Sequence, residues 1–247
     1  MTQDEQNISD SGHSPVEHIL RTQSMMEQHH IAITIARQLG SGGAALGQRL
    51  AKRLNYAYLD REILRMAKER MGEGDADLSR WDERLPNFWE RFIETLSGGP
   101  PDSVYTDGRR LPGVGEKLLF KLESQVIRET AARRSVVVIG RAGGWVLREH
   151  PRLVKVYLHA PISFRLPQVM RSLNLVSEQE ARKTIDRVDL DRERFIQEVT
   201  GCLASDARNY DFCINTHHVG LDQAEAMIVR HVEQMHLELP PGNLQGR

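Results

Sequence analysis

Short runs of β-branched apolar residues alternate along this chain with longer stretches in which apolar positions recur every three or four residues. The first run, residues 31–36 (IAITIA), predicts a strand; residues 44–54 follow with Leu46, Leu50 and Leu54 at helical spacing. Asn55, Tyr56 and Ala57 lead into a second short strand ending at Leu59 and Asp60. A long amphipathic helix over 116–133 delivers the chain to residues 135–139 (SVVVI), whose four consecutive β-branched residues before Gly140 predict a strand buried on both faces. A helix through Trp145 and Leu147, a strand over 154–159, helices over 164–172 and 178–199, a strand over 212–214 ending at Asn215 and Thr216, and a helix over 221–235 complete the pattern. Such alternation predicts an α/β fold with a doubly wound parallel sheet, its ligands at the carboxyl ends of the strands.

The regular pattern breaks over residues 71–115, where Gly72, Gly74, Gly98, Gly99, Pro100, Pro101, Gly108, Pro112 and Gly113 punctuate a charged segment. This predicts a helical insertion with its helix-rich core at 78–96, where Trp81 and Trp89 share one apolar face. Residues 1–28 are expected to form a flexible extension containing a short helix over 15–28, and 237–247 a flexible tail. One domain over 29–236 suits a chain of 247 residues.

With 33 basic and 34 acidic residues the net charge is −1, so no global field draws the protein to nucleic acid or membrane. Any anion site must be local. Cys202 and Cys213 are too few for a disulfide scaffold. The polar start lacks a signal-peptide pattern and no apolar run approaches the ~20 residues of a span, so a cytoplasmic location is expected. The histidine pairs His29-His30 and His217-His218 read as exposed residues at strand ends rather than metal ligands, and no metal site held by the protein is expected.

The candidate chemistry lies where strands end. After the first strand come Gly40, Ser41, Gly42 and Gly43, a turn whose backbone N–H groups can approach an anion while the following helix offers its positive end. A simple tight strand-to-helix turn is the plainer alternative. The loop departs from GxxxxGK[ST], because no Lys-Ser/Thr pair follows. Arg37, at the strand's end, is the candidate substitute cation; Arg49, two helical turns downstream, is less well placed. Gly140-Arg141 after the third strand suits phosphate recognition through a planar fork of donors, or else marks a structural ion pair. In the charged segment 185–194 (IDRVDLDRER), Asp189 and Arg192 share a helix face; over an active site such arginines stabilise a transferring phosphoryl group, and elsewhere they form a solvated, salt-bridged face.

In this order the segments ITIARQLGSGG, YLDREIL, VVVIGRAGGWVLREHPRLVKVYLHAPISFR, VDLDRERF and NYDFCINTHHVGLDQAEAMI resemble the cytidylate kinase-like family of P-loop nucleoside monophosphate kinases. The resemblance spans roughly residues 30–232. It implies a P-loop kinase fold, a helical segment that holds the monophosphate, and an arginine-bearing lid over about 175–205. It also implies ATP and Mg2+ as cofactors, nucleotide substrates, and transfer of the γ-phosphate to CMP, dCMP or a related acceptor. Carried over by position, Gly40, Ser41, Gly42 and Gly43 would hold the donor phosphates; Asn215 and Thr216, which end the last strand, are the further cofactor-binding candidates. Arg141, Asp189 and Arg192 would contact the acceptor and Asp60 matches the aspartate ending the second strand; with Arg37 added as this chain's own substitute cation, Arg37, Arg141, Arg192 and Asp60 are the expected catalytic set. Gly43 and Ala44 stand where the Walker lysine and its neighbour belong, Ala142 replaces an aspartate after Gly-Arg, and Ile185 replaces a lid arginine. The alternative these departures raise is a regulatory nucleotide-binding protein that keeps the fold and has weakened catalysis.

Overall fold

The structure is a computed structural model that describes residues 30–60 and 116–237. The expected N-terminal extension, the insertion at 71–115 with Trp81 and Trp89, and the tail after residue 237 lie outside the described residues. Five parallel strands form one sheet in the order β2-β3-β1-β4-β5. They are β1 (Ala32–Arg37), β2 (Ala57–Leu59), β3 (Val136–Ile139), β4 (Leu153–His159) and β5 (Phe212–Asn215). Strand β1 lies at the centre: its Ile33 is level with Val137 of β3 on one side and Val154 of β4 on the other.

Helices α1 (Gly43–Leu54), α2 (Glu116–Arg133), α3 (Gly143–Val146), α4 (Ile162–Ser172), α5 (Glu178–Thr200) and α6 (Thr216–Leu237) connect and cover the strands. The period of two in each strand decides what they cover. Ile33, Ile35, Val137, Ile139, Val154, Val156 and Leu158 form one face, packed against Leu46 and Leu50 of α1 and Ala224, Ile228 and Val232 of α6. Ala32, Val136 and Val138 face the other way, onto Val126 and Ile127 of α2 and Val146 of α3. A third cluster joins Leu39 to Leu166 and Val169 of α4 and to Ala181 and Ile185 of α5. Strand β3, buried at all four positions, is sandwiched as its β-branched run predicts.

The doubly wound α/β sheet is therefore observed, with one notable difference at the last helix. It begins at Thr216 instead of 221, because two helical pieces meet at Gly220, whose φ of 74° and ψ of 160° break the spiral. The apolar spacing over 221–235 belongs to the second piece only. Strand β1 leads to α1 on one face of the sheet, whereas its neighbour β3 leads to α3 on the opposite face. The carboxyl ends of β1 and β3 thus flank a topological switch point, where sheets of this kind bind ligands.

Candidate functional site

The glycine turn sits at that switch point. Gly40 and Gly42 have φ of 80° and 86°, a left-handed backbone that glycine adopts at little cost. Space is short as well: a methyl group on Gly40 would lie 2.8 Å from the backbone oxygen of Arg165, and one on Gly42 2.9 Å from Cδ2 of Leu221. Gly42 caps α1 without a side-chain hydrogen bond, and no acidic residue occupies the first turn. The N-terminal amides of α1 and its dipole are left to favour an anion. The Ser41 hydroxyl is turned inward, 1 % exposed, and donates to the Gln38 carbonyl at 2.8 Å. Ser41 can therefore serve an anion through its backbone, while its hydroxyl belongs to the loop.

Arg37 fills the crevice between β1 and β3. A methyl group on Gly43 would meet Arg37 Cγ at 2.7 Å, and one on Gly140 would collide with Arg37 Nη1. Both glycines make room for this side chain, which carries its positive charge from the glycine turn toward Gly140. The next residue is Arg141. Gly140, Arg141 and Ala142 are consecutive left-handed residues with φ of 72°, 52° and 51°. For the two non-glycine residues this costs roughly 1–3 kcal/mol each. The turn is closed by Gly143 N–H donating to Gly140 O at 2.9 Å, and Arg141 is aimed at Glu123 of α2. Its Nε donates to Glu123 Oε2 at 2.6 Å and its Nη2 to the same oxygen, with the guanidinium stacked 4.7 Å from the ring centroid of Phe195 on α5. Phe195 also packs edge-on against Phe120 of α2, centroids 5.4 Å apart.

Helix α5 crosses the carboxyl edge of the sheet, and its inward stripe follows the helical period: Ala181, Ile185, Asp189, Arg192, Phe195. Ile185, where the family resemblance calls for an arginine, is 0 % exposed against Leu39 and α4. It anchors the helix. One turn on, Asp189 Oδ1 accepts the Leu39 N–H at 2.7 Å and Oδ2 accepts Arg165 Nη1 at 2.5 Å; Arg165 Nη1 also donates to the Leu39 carbonyl at 3.1 Å. Arg192 Nη1 donates to the Arg37 carbonyl at 3.1 Å. On the sheet surface beneath, the Tyr157 phenol is held above its ordinary range by burial and then by the negative charges of Asp189 and Glu193.

The structure thus brings together the glycine turn, Arg37, Arg141, Asp189 and Arg192. The remaining candidates lie on other elements. Asp60 follows β2, separated from β1 by the whole of β3. Asn215 Oδ1 accepts the His217 N–H at 3.1 Å, and the buried Thr216 hydroxyl lies 3.4 Å from the His159 carbonyl; both side chains are occupied at the start of α6. Arg49 is paired with Asp222 and Glu225, tying α1 to α6 and away from the turn. Arg165, Glu123, Phe195 and Leu221 contact these candidates and were not singled out from the sequence, although Arg165, Phe195 and Leu221 lie within the segments that carry the resemblance. A single arginine on the apolar face of α4, beside Leu166 and Val169, was the signal for Arg165.

A parallel α/β sheet of this order, with a glycine turn at its switch point and arginines gathered around it, is the α/β kinase fold. The chain belongs to the cytidylate kinase-like family, whose model matches residues 32–218. It is similar to a cytidylate kinase of Thermococcus sibiricus, 30 % identical over 213 residues, covering 85 % of this chain and 92 % of that protein. A cytidylate kinase of Thermococcus kodakarensis is 25 % identical over 207 residues, covering 83 % of this chain and 89 % of that one. Among solved structures, an uncharacterized protein from Eubacterium ventriosum shares the fold with a TM-score of 0.60 at 20 % identity, covering 83 % of this chain and 99 % of that one.

Proposed function

We propose that this chain is a nucleoside monophosphate kinase-like phosphotransferase that moves the γ-phosphate of ATP to CMP, dCMP or a related phosphate acceptor in the cytoplasm. The observation that carries the reading is Arg37 lying from Gly43 to Gly140, a cation beside a phosphate-shaped turn that lacks its lysine. The residues fit a triphosphate: the turn has no room for side chains at Gly40 and Gly42, and α1 starts without a competing carboxylate. They do not supply a magnesium ligand of the usual kind, since Ala44 has no hydroxyl, the Ser41 hydroxyl is engaged, and no cluster of three metal-binding side chains occurs among the described residues. Magnesium would arrive on the nucleotide, held by phosphate and water oxygens.

In this reading the turn binds the donor phosphates and Arg37 balances their charge. Arg141 and Arg192 face the transferring group, and α5, within the segment 175–205, excludes water above it. Transfer rests on positioning and electrostatic stabilisation, with in-line attack by the acceptor phosphate and no covalent enzyme intermediate. A coupled ADP-release assay across the common nucleoside monophosphates, run beside nucleotide-dependent thermal shifts, tests it. Turnover with one or more acceptors is expected. Shifts with no turnover would replace the enzyme by a regulatory nucleotide-binding protein on the same fold, and neither signal would overturn both.

A further inference from the structure

The resemblance assigns Asp189 to the acceptor, yet its carboxylate is committed elsewhere. Oδ1 accepts the Leu39 N–H at 2.7 Å and Oδ2 the Arg165 guanidinium at 2.5 Å, and the same Arg165 nitrogen holds the Leu39 carbonyl at 3.1 Å. Both polar groups of the residue preceding Gly40 are thus held by one ion pair. Its members are largely withdrawn from water, with side-chain exposures of 9 % for Arg165 and 21 % for Asp189. Arg165 also crowds the turn through its main chain, since its carbonyl oxygen would lie 2.8 Å from a methyl group on Gly40. Arg192, one turn further along α5, holds the carbonyl of Arg37.

We propose that Asp189 and Arg165 are positioning residues for the donor side of the site: a clamp that fixes Leu39, and so orients the Gly40–Gly43 amides, only when α5 is seated. Hydrogen bonds to charged groups are stronger than neutral ones, and partial burial protects them from competing water. Binding of a triphosphate and docking of α5 then become one linked equilibrium, and linkage is reciprocal: a seated α5 tightens the nucleotide, and the nucleotide seats α5. The Ile185 anchor holds α5 near its seat, so the clamp has only a short distance to close. The inference rests on the proposed triphosphate site and reassigns Asp189 from acceptor to donor.

The test uses the full chain, with ATP affinity measured by calorimetry and amide hydrogen exchange followed along residues 185–195, with and without ATP. Wild type is expected to bind ATP and to slow exchange in that stretch. Asp189→Asn and Arg165→Lys, both close to isosteric or charge-conserving, are each expected to weaken ATP about tenfold and abolish the added protection. The double variant should be little worse than either single, because both act through Leu39. Thermal melting confirms that each variant is folded, and either single variant suffices if the other is not. Normal ATP affinity in Asp189→Asn together with a raised KM for the acceptor overturns the clamp and leaves the kinase reading intact. Absence of ATP binding by wild type overturns both.

Discussion

One carboxylate oxygen of Glu123 receives both the Nε and the Nη2 hydrogens of Arg141, with the two side chains only 6 % and 12 % exposed. The arginine proposed above for the acceptor phosphate therefore also has a place in the fold. Arg141→Ala would remove the charged partner seen at Glu123 Oε2, and breaking a largely buried pair from one side is destabilising. The variant is expected to melt well below wild type, and a paired Glu123→Leu, Arg141→Met variant to recover much of that loss. Equal melting temperatures for Arg141→Ala and wild type would remove the ion pair from the list of stabilising contacts. Turnover, in contrast, should fall by about a hundredfold or more in both, on the scale of arginine contributions to phosphoryl transfer.

Arg37 should behave in the opposite way. Its side chain packs against Gly43, where the lysine belongs, so Arg37→Ala is expected to abolish turnover while Arg37→Lys keeps part of it. The Ala variant also empties space beside Gly43 and Gly140, so folding must be checked by melting. Robust turnover by Arg37→Ala would leave the backbone amides and remaining arginines to neutralise the phosphates unaided.

Gly42 combines a positive φ with a contact. Gly42→Val would force a β-branched residue to φ of 86° and press it onto Leu221, deforming the turn. A loss of ATP affinity of about tenfold or more, roughly 1.4 kcal/mol, is expected by titration calorimetry. Unchanged affinity in a folded variant would place the triphosphate elsewhere.

Tyr210 offers a pH test. Its phenol donates to the Ala204 carbonyl at 2.7 Å, and burial, followed by the neighbouring Tyr157, pushes its ionisation above the ordinary 10.0. A raised folded-state value means that the unfolded chain loses this proton first. The stabilisation is complete below pH 10 and is lost as pH rises from there through the folded-state value. Denaturant midpoints should accordingly fall above pH 10, and Tyr210→Phe should lower stability at neutral pH while flattening the alkaline slope. An identical slope in the variant would assign the alkaline loss to other groups.

The fold was legible because its signals are periodic. Strand β3 announces itself by an unbroken β-branched run and α1 by leucines four apart, and neither needs tertiary information. The glycine turn was equally plain, since left-handed geometry and close approach both demand glycine. What the sequence hid were partners distant in the chain. Nothing local distinguishes an Asp189 that reaches solvent from one that reaches Leu39, and Arg141 next to Gly140 reads the same whether or not Glu123 lies opposite. Asn215 and Thr216 show the same limit: residues ending a strand can serve a ligand or begin the next helix, and their position alone does not reveal the local hydrogen bonds made here. The Ile185 exchange was visible as a departure, but its meaning came from burial, which turns a lost charge into an anchor.

The bond from Leu39 to Asp189 spans 150 positions of the chain. A growing polypeptide makes the glycine turn long before the residue that holds that turn appears. Closing so wide a loop costs entropy that local contacts cannot repay, which makes late consolidation of this corner the natural order of assembly. Nucleotide binding would then act as an inspection of the finished molecule: a chain that has formed β1 and α1 but has not yet laid α5 across the sheet offers phosphate a turn without its support, and gains little from the ligand that stabilises its completed counterpart.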